Sequence, residues 1–224
     1  MSPARAHFLR MTAESESSRL DRETLTGLEG YDLLLAQLNI HKRQLKGVQS
    51  MERRAEMKKG IFAEYQPWID GVLAKGTGLQ DAVLMTWLVW CLDTQNYDYA
   101  IKIGTYALFH DLAMPEQFNR NTATVLAEEL ADMAKKARDV KADFNLDYLT
   151  QVYELTEEHD MPDEVRAKLL REMGEREKDD DAELALLHLK RAFELDSNVG
   201  VKGSIAKLEK ALGKEQTEPT EPKE

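Results

Sequence analysis

The sequence predicts an all-α protein built from helical hairpins, and three observations support this fold class. Apolar residues recur at three-, four- and seven-residue spacings over most of the chain, as on the buried face of a helix. The apolar–polar alternation that is typical of a half-buried strand is almost absent. Glycines and prolines stand between the periodic segments, where helices begin and end. We therefore expect helices joined by short loops.

Helices are expected from Tyr31 onward. A first long helix with coiled-coil character carries an apolar stripe at Leu34, Leu38, Leu45 and Val48. A second helical stretch continues through residues 61–72, and Gly76 and Gly78 end it. Asp160 is expected to cap a later helix that has Pro162 in its first turn. The remaining helices are expected at about 79–93, 97–111, 122–140, 145–159, 181–195 and 200–212.

Composition and periodicity together divide the chain into five regions. The first thirty residues are polar and poorly periodic, which indicates a mobile arm with at most a short helix. The last residues are acidic and rich in proline, which is typical of disorder. The expected regions are the arm (1–30), a basic helical region (31–62), an apolar helical core and candidate oligomerisation region (63–140), C-terminal helical hairpins (141–213) and an acidic tail (214–224).

Two segments resemble helix hairpins of the tetratricopeptide type. Within residues 79–111, the segment 96–100 joins two helices and supplies a small residue where they cross. Residues 185–196 resemble the second helix of such a repeat. Their spacing shows no clean period, and any antiparallel helix pair uses small residues at crossings. Repeat ancestry and an ordinary helix pair therefore both remain open.

Composition indicates a cytosolic soluble protein. The longest apolar run, residues 82–92, is far shorter than the roughly 20 residues that a membrane-spanning helix needs. The N-terminal segment lacks the apolar core of a signal peptide. A single cysteine, Cys91, excludes an internal disulfide and a cysteine-based zinc site.

The charge of the chain is unevenly distributed. The formal net charge is −11, which taken alone argues against nucleic acid as a partner. Residues 1–62, however, hold eleven Lys and Arg against eight Asp and Glu, whereas residues 63–224 hold nineteen against thirty-three. Within residues 41–59 the ratio is seven to two. This asymmetry predicts that the basic end meets phosphate, while the acidic end meets protein or stays solvated.

The basic segment is the candidate functional site. On a helix its cations form a row opposite the apolar stripe, and such a row neutralises several phosphates at once. The alternative is an ordinary solvated face with internal ion pairs such as Glu52–Lys59 or Glu56–Lys59. No aromatic residues interleave with these cations, so stacking on single strands is not indicated. The candidate DNA-binding residues are Lys42, Arg43, Lys46, Arg53, Arg54, Lys58 and Lys59.

A search for catalytic motifs favours a non-catalytic chain without cofactor or metal. No phosphate-cradling loop for ATP and no His-Glu-x-x-His zinc helix occur. Pro162-Asp163 could open a magnesium nuclease motif, but the required acid and lysine do not follow, so a helix start is favoured. The two His-Asp dipeptides at 110–111 and 159–160 fit helix boundaries better than a metal site. Residues 179–181 fit an acidic loop that caps the next helix.

Five segments of the sequence have an unusual composition for ordinary helices. They are Pro-Trp-Ile-Asp-Gly-Val-Leu (67–73), Gly-Leu-Gln-Asp-Ala-Val-Leu-Met-Thr (78–86), Leu-Asp-Thr (92–94), Asp-Met-Pro-Asp-Glu-Val-Arg-Ala-Lys-Leu (160–169) and Gly-Val-Lys (200–202). In this order they resemble the phage small terminase subunit, in its GpM-like version from temperate tailed phages that package a genome with cohesive ends. The resemblance covers roughly residues 1–212.

The resemblance implies a role in viral genome packaging and virion assembly. A subunit of this family binds the packaging site on double-stranded phage DNA and delivers it to a large subunit that carries the ATPase and the nuclease. It forms a homo-oligomeric ring in the cytoplasm of the bacterial host and is not expected in the mature virion. Family members are often labelled the endonuclease subunit, which describes the complete enzyme.

The C-terminal tail departs from the family pattern. Relatives carry a strongly basic C-terminal extension, whereas this tail is acidic. The departure moves the expected DNA contact to residues 42–59 and to Arg5, Arg10 and Arg19 of the arm. Two other functions compete with the packaging adaptor. One is a tetratricopeptide-like scaffold that binds protein without DNA, and the other is a metal-dependent nuclease.

Overall fold

The computed structural model describes the backbone of residues 2–18 and 28–215, with side chains at 2–12 and 30–213. Within these ranges the chain forms ten helices and no strand, which confirms the all-α prediction. The helices form two compact units, Met1–Thr122 and Ala123–Glu224. They are α1 (Pro3–Ser18), α2 (Leu28–Lys46), α3 (Met51–Lys75), α4 (Ala82–Asp93), α5 (Tyr97–Phe109), α6 (Thr122–Asp139), α7 (Leu146–Thr156), α8 (Asp163–Glu177), α9 (Ala182–Leu195) and α10 (Lys202–Glu215).

From α4 onward the predicted and observed helix ends agree to within about three residues. The N-terminus of α8 differs in detail, because Pro162 occupies the N-cap position that was expected for Asp160. The unit boundary at residue 122 falls inside the region 63–140, whose role in oligomerisation stays a prediction. The tetratricopeptide-like hairpins also stay a prediction. The acidic tail from residue 216 lies outside the described residues.

The N-terminal arm differs from the expectation over residues 3–18, which form α1 rather than a short helix at best. α1 packs against α3, and its Leu9 and Thr12 are buried. Leu9 and Thr12 lie three residues apart, a helical spacing, but polar residues around them weaken the apolar pattern that would have revealed the helix. Residues 19–27 of the arm lie outside the described residues.

α4 is the centre of the first unit. Its residues from Val83 to Leu88 are all buried, and a helix that is apolar on every side belongs inside a core. Asp81 caps this helix, since its Oδ1 accepts hydrogen bonds from the backbone N–H groups of Val83 and Leu84 at 2.8 and 2.9 Å. The indole Nε1 of Trp68 donates to the other carboxylate oxygen at 2.7 Å, which ties α3 to the start of α4.

α8 organises the second unit. It packs against α7 and α9, and Gly174 lies at its contact with Ala185 and Leu189 of α9. The carboxylate of Glu172, on the same helix, is fully buried. Arg138 of α6 grips both of its oxygens at 2.9 and 3.0 Å, and Arg171 donates to it at 2.7 Å. A buried carboxylate is tolerated when it is paired in this way.

Three arginines of α8 also donate hydrogen bonds to backbone carbonyl groups of other segments of the second unit. Arg166 donates to the carbonyls of Thr156 and His159, at and beyond the end of α7. Arg171 donates to the carbonyl of Val199, and Arg176 to those of Ala134 and Phe144. A single helix therefore ties together α6, the end of α7 and the loops at residues 144, 159 and 199.

Candidate nucleic-acid interface

The predicted basic segment forms a helical hairpin, α2 and α3, rather than one continuous row. α2 ends at Lys46, and the backbone turns through residues 47–50. Ser50 then caps α3, because its hydroxyl oxygen accepts a hydrogen bond from the backbone N–H of Arg53 at 3.2 Å. Ser50 followed three residues later by a cation lacks the capping-box acid, so this helix start is hard to see in the sequence.

The seven predicted residues fall into three groups on this hairpin. The first group is exposed, the second is half-buried, and the third consists of Lys58, which is 9% exposed. Burial lowers the pKa of Lys42 in the half-buried group. The exposed cations that could meet phosphate directly are Arg43, Lys46, Arg53 and Lys59, and the half-buried ones are Lys42 and Arg54.

Arg54 stabilises the hairpin loop. Its Nε donates to the carbonyl of Val48, and its Nη1 lies 3.8 Å from the sulfur of Met51. The side chain is thus partly committed to local structure.

Ion pairs within α3 were the alternative interpretation of the basic segment. No ion pair joins Glu52 or Glu56 to Lys59 in the described part of the chain. The cation of Lys59 is therefore available to a partner.

Lys58 contacts another helix, and its role as a DNA contact stays a prediction. Its ammonium forms an ion pair with Asp93, the last residue of α4, and lies 5.6 Å from the ring centroid of Trp90. Both partners are about 30 residues away in sequence, so helical spacing on α3 gave no sign of them. A lone carboxylate at a helix C-terminus, where the macrodipole disfavours it, was the signal that could have pointed to a cationic partner.

The arginines of the arm are only partly described. Arg5 and Arg10 lie on the exposed side of α1. The Nη2 of Arg5 donates to the side-chain carbonyl of Gln37 on α2 at 2.9 Å, which brings α1 next to the hairpin. Arg19 lies outside the described residues.

The acidic motifs of the sequence take structural positions. Asp163 is the first residue of α8, and Asp181 caps α9 by accepting from the backbone N–H of Leu184 at 2.9 Å, as predicted. His110 occupies the C-cap position of α5. Across residues 2–18 and 28–215, no group of three or more His, Cys, Asp or Glu side chains could hold a metal ion.

Comparison with known families identifies the chain. The family model described as phage small terminase subunit matches residues 35–164. That range includes α2 from residue 35 onward, all of α3 to α7, and the start of α8. The chain belongs to the phage small terminase subunit family.

A curated relative extends this likeness over almost the whole chain. The chain is 40% identical over 223 residues to the "Terminase, endonuclease subunit" of Escherichia phage P2. The alignment covers 97% of this chain and 88% of the relative. No solved structure matches this chain.

The resembling motifs correspond to contacts that build the first unit of this small terminase subunit. Trp68 and Asp81, from the first two motifs, form the hydrogen bond between α3 and α4. Asp93, from the Leu-Asp-Thr motif, holds Lys58. Burial raises the pKa of the Asp81 carboxyl group, while its hydrogen bonds with Leu84, Trp68 and Val83 oppose the rise. No helix in the described ranges is long and apolar enough to cross a membrane.

Proposed function

We propose that this protein binds the cohesive-end packaging site on phage DNA through the α2–α3 hairpin and delivers that DNA to the large terminase subunit. Membership of the family supports the packaging role. The observation that carries the DNA assignment is the exposure of Arg43, Lys46, Arg53 and Lys59 on one hairpin of an otherwise acidic chain. Cations on adjacent helices, without carboxylate partners, attract a phosphate backbone.

The large subunit supplies the ATPase and the nuclease in this proposal, and the complex works in the cytoplasm of the bacterial host. The relative from phage P2 is named an endonuclease subunit. We assign that name to the complete terminase rather than to cleavage by this chain. A homo-oligomeric ring would place several hairpins around one DNA duplex, which strengthens binding through effective concentration.

The test measures binding of the purified protein to duplex DNA from the cohesive-end region, against scrambled duplex DNA, across a salt series. Site preference and a steep fall in affinity with salt are expected for the wild type. Replacing the four exposed cations by Gln should lower the slope of log affinity against log salt by about 3.6, at about 0.9 for each phosphate contact. The matched control replaces four exposed lysines of the second unit by Gln, at Lys136, Lys141, Lys207 and Lys210.

Equal slopes for the test and control variants would contradict the hairpin assignment. Absence of DNA binding at low salt would favour a scaffold that binds protein alone. Cleavage of DNA by the isolated chain with magnesium or manganese would restore the nuclease hypothesis. Pull-down of the large subunit by wild-type protein and by both variants separates a loss of DNA binding from a loss of assembly.

A further inference from the structure

The ion pair between Lys58 and Asp93 joins the basic hairpin to the core of the first unit. Lys58 lies on α3, one residue before the exposed Lys59, yet its ammonium points to α4 and lies over Trp90. The side chain of Lys58 is 11% exposed and that of Asp93 is 36% exposed. The ammonium is therefore shielded from solvent while the carboxylate is exposed, so salt weakens this pair less than a bridge between two exposed side chains.

The position of Asp93 at the C-terminus of α4 is unfavourable for the helix itself. A carboxylate in the last turn of a helix meets the negative end of the macrodipole, which destabilises the end of the helix. The ammonium of Lys58 offsets this cost, because it brings a positive charge to the end of α4. Among the described residues, Lys58 is the ion-pair partner of Asp93.

Lys58 is the one buried side chain among residues 51–59 of α3. Glu52, Arg53, Glu56 and Lys59 are exposed there, and Arg54, Ala55 and Met57 are only half-buried. Gly60 follows within the helix, is exposed itself, and a Cβ added to it would meet nothing within 4 Å. A glycine inside a helix weakens it, so the direction of residues 51–59 depends on contacts with other elements.

We propose that Lys58 and Asp93 are positioning residues of the DNA-binding hairpin, which hold Arg53 and Lys59 in one orientation, and that Lys58 makes no phosphate contact itself. This inference rests on the proposed DNA-binding function. The effect that it predicts for removal of the Asp93 carboxylate is opposite to the effect expected from net charge alone. If net charge near the hairpin governed affinity, then removal of the Asp93 carboxylate would remove a repulsion, release Lys58 and strengthen DNA binding.

The deciding experiment compares Asp93→Asn and Lys58→Met with Lys59→Gln as the control, using cohesive-end duplex DNA across a salt series at a temperature where all variants are folded. Asp93→Asn should lower the affinity about 2-fold to 30-fold without changing the salt slope. Lys58→Met should do the same. Lys59→Gln should lower the slope by about 0.9, as loss of one phosphate contact does.

A second readout needs no DNA. Hydrogen exchange of the free protein should show lost protection in Asp93→Asn for the amides of residues 54–60, while those of residues 65–72 keep theirs. Stronger DNA binding by Asp93→Asn, a lower salt slope for Lys58→Met, or unchanged exchange at 54–60 would each overturn the positioning role alone. Wild-type protein that binds no DNA would instead overturn the proposed function, and the positioning role with it.

Discussion

Two glycines inside helices should respond to alanine with opposite signs. Gly60 of α3 is exposed, and an added Cβ would meet nothing within 4 Å. At Gly174 of α8, the added Cβ would lie 2.7 Å from Cγ of Leu189 and 2.9 Å from the carbonyl oxygen of Ala185. The same substitution therefore enters open space in one helix and a closed helix crossing in the other.

The magnitudes follow from helix propensity and packing. Gly60→Ala should stabilise the protein by about 0.5 to 1 kcal/mol, because alanine loses less backbone freedom on folding than glycine does. Gly174→Ala gains the same amount but overpacks the α8–α9 contact, which costs about 1 to 3 kcal/mol. These two terms leave a net destabilisation of up to about 2.5 kcal/mol. We expect about 1 to 2 kcal/mol, because one of the two close atoms is a backbone oxygen that cannot move aside easily.

Urea denaturation measures both effects. All three tryptophans, Trp68, Trp87 and Trp90, lie in the first unit, so their fluorescence reports on Gly60→Ala, while circular dichroism reports on helix loss in both variants. We take about 2 kcal/mol per molar urea for the dependence of the unfolding free energy on urea concentration. The urea concentration at half-unfolding should then rise by about 0.4 M for Gly60→Ala and fall by about 0.5 to 1 M for Gly174→Ala. Equal and positive shifts for the two variants would refute the close crossing of α8 and α9.

Three further predictions concern buried polar groups. Arg138→Met should destabilise the protein by about 3 kcal/mol in urea denaturation, because the buried carboxylate of Glu172 loses one of its two guanidinium partners. As a control, Arg191→Met at an exposed position should change stability by less than about 0.5 kcal/mol. Burial, with Asp81 nearby, raises the pKa of Tyr31 to about 12. The unfolded chain then ionises first, so stability should fall as pH rises from about 10 to 12, and less steeply in Tyr31→Phe. Burial also raises the pKa of the Cys91 thiol to about 12. A thiol reagent at pH 8 should therefore react with Cys91 only when the protein unfolds. Rapid labelling of the folded protein would contradict the burial of Cys91 in α4.

The sequence predicted helices well where apolar periodicity was strong. α4 to α10 were expected close to their observed positions because each carries an apolar face between clear helix boundaries. α1 was missed, since Leu9 and Thr12 are its buried residues among the described side chains 2–12 and its partner α3 is distant in sequence. The break between α2 and α3 was also missed, because Leu45 and Val48 continue the apolar stripe up to and into the loop.

The candidate site was predictable in composition but not in geometry. Seven cations within 41–59 are visible in the sequence, and four of them are exposed on the hairpin. The inward direction of Lys58 depends on Asp93 and Trp90, which belong to another helix. Helical spacing describes which residues share a face of one helix, and it carries no information about which neighbouring helix covers that face.

The arginines of α8 also affect when the earlier helix α6 can finish folding during synthesis of the chain. Arg176 donates to the carbonyls of Ala134 and Phe144, which leave the ribosome 42 and 32 residues earlier. Until residue 176 has emerged, these two carbonyls lack the guanidinium donor, and the carboxylate of Glu172 is not yet available to Arg138. A nascent chain halted before α8 should therefore expose the end of α6 to proteases, even though every residue of α6 has already been made.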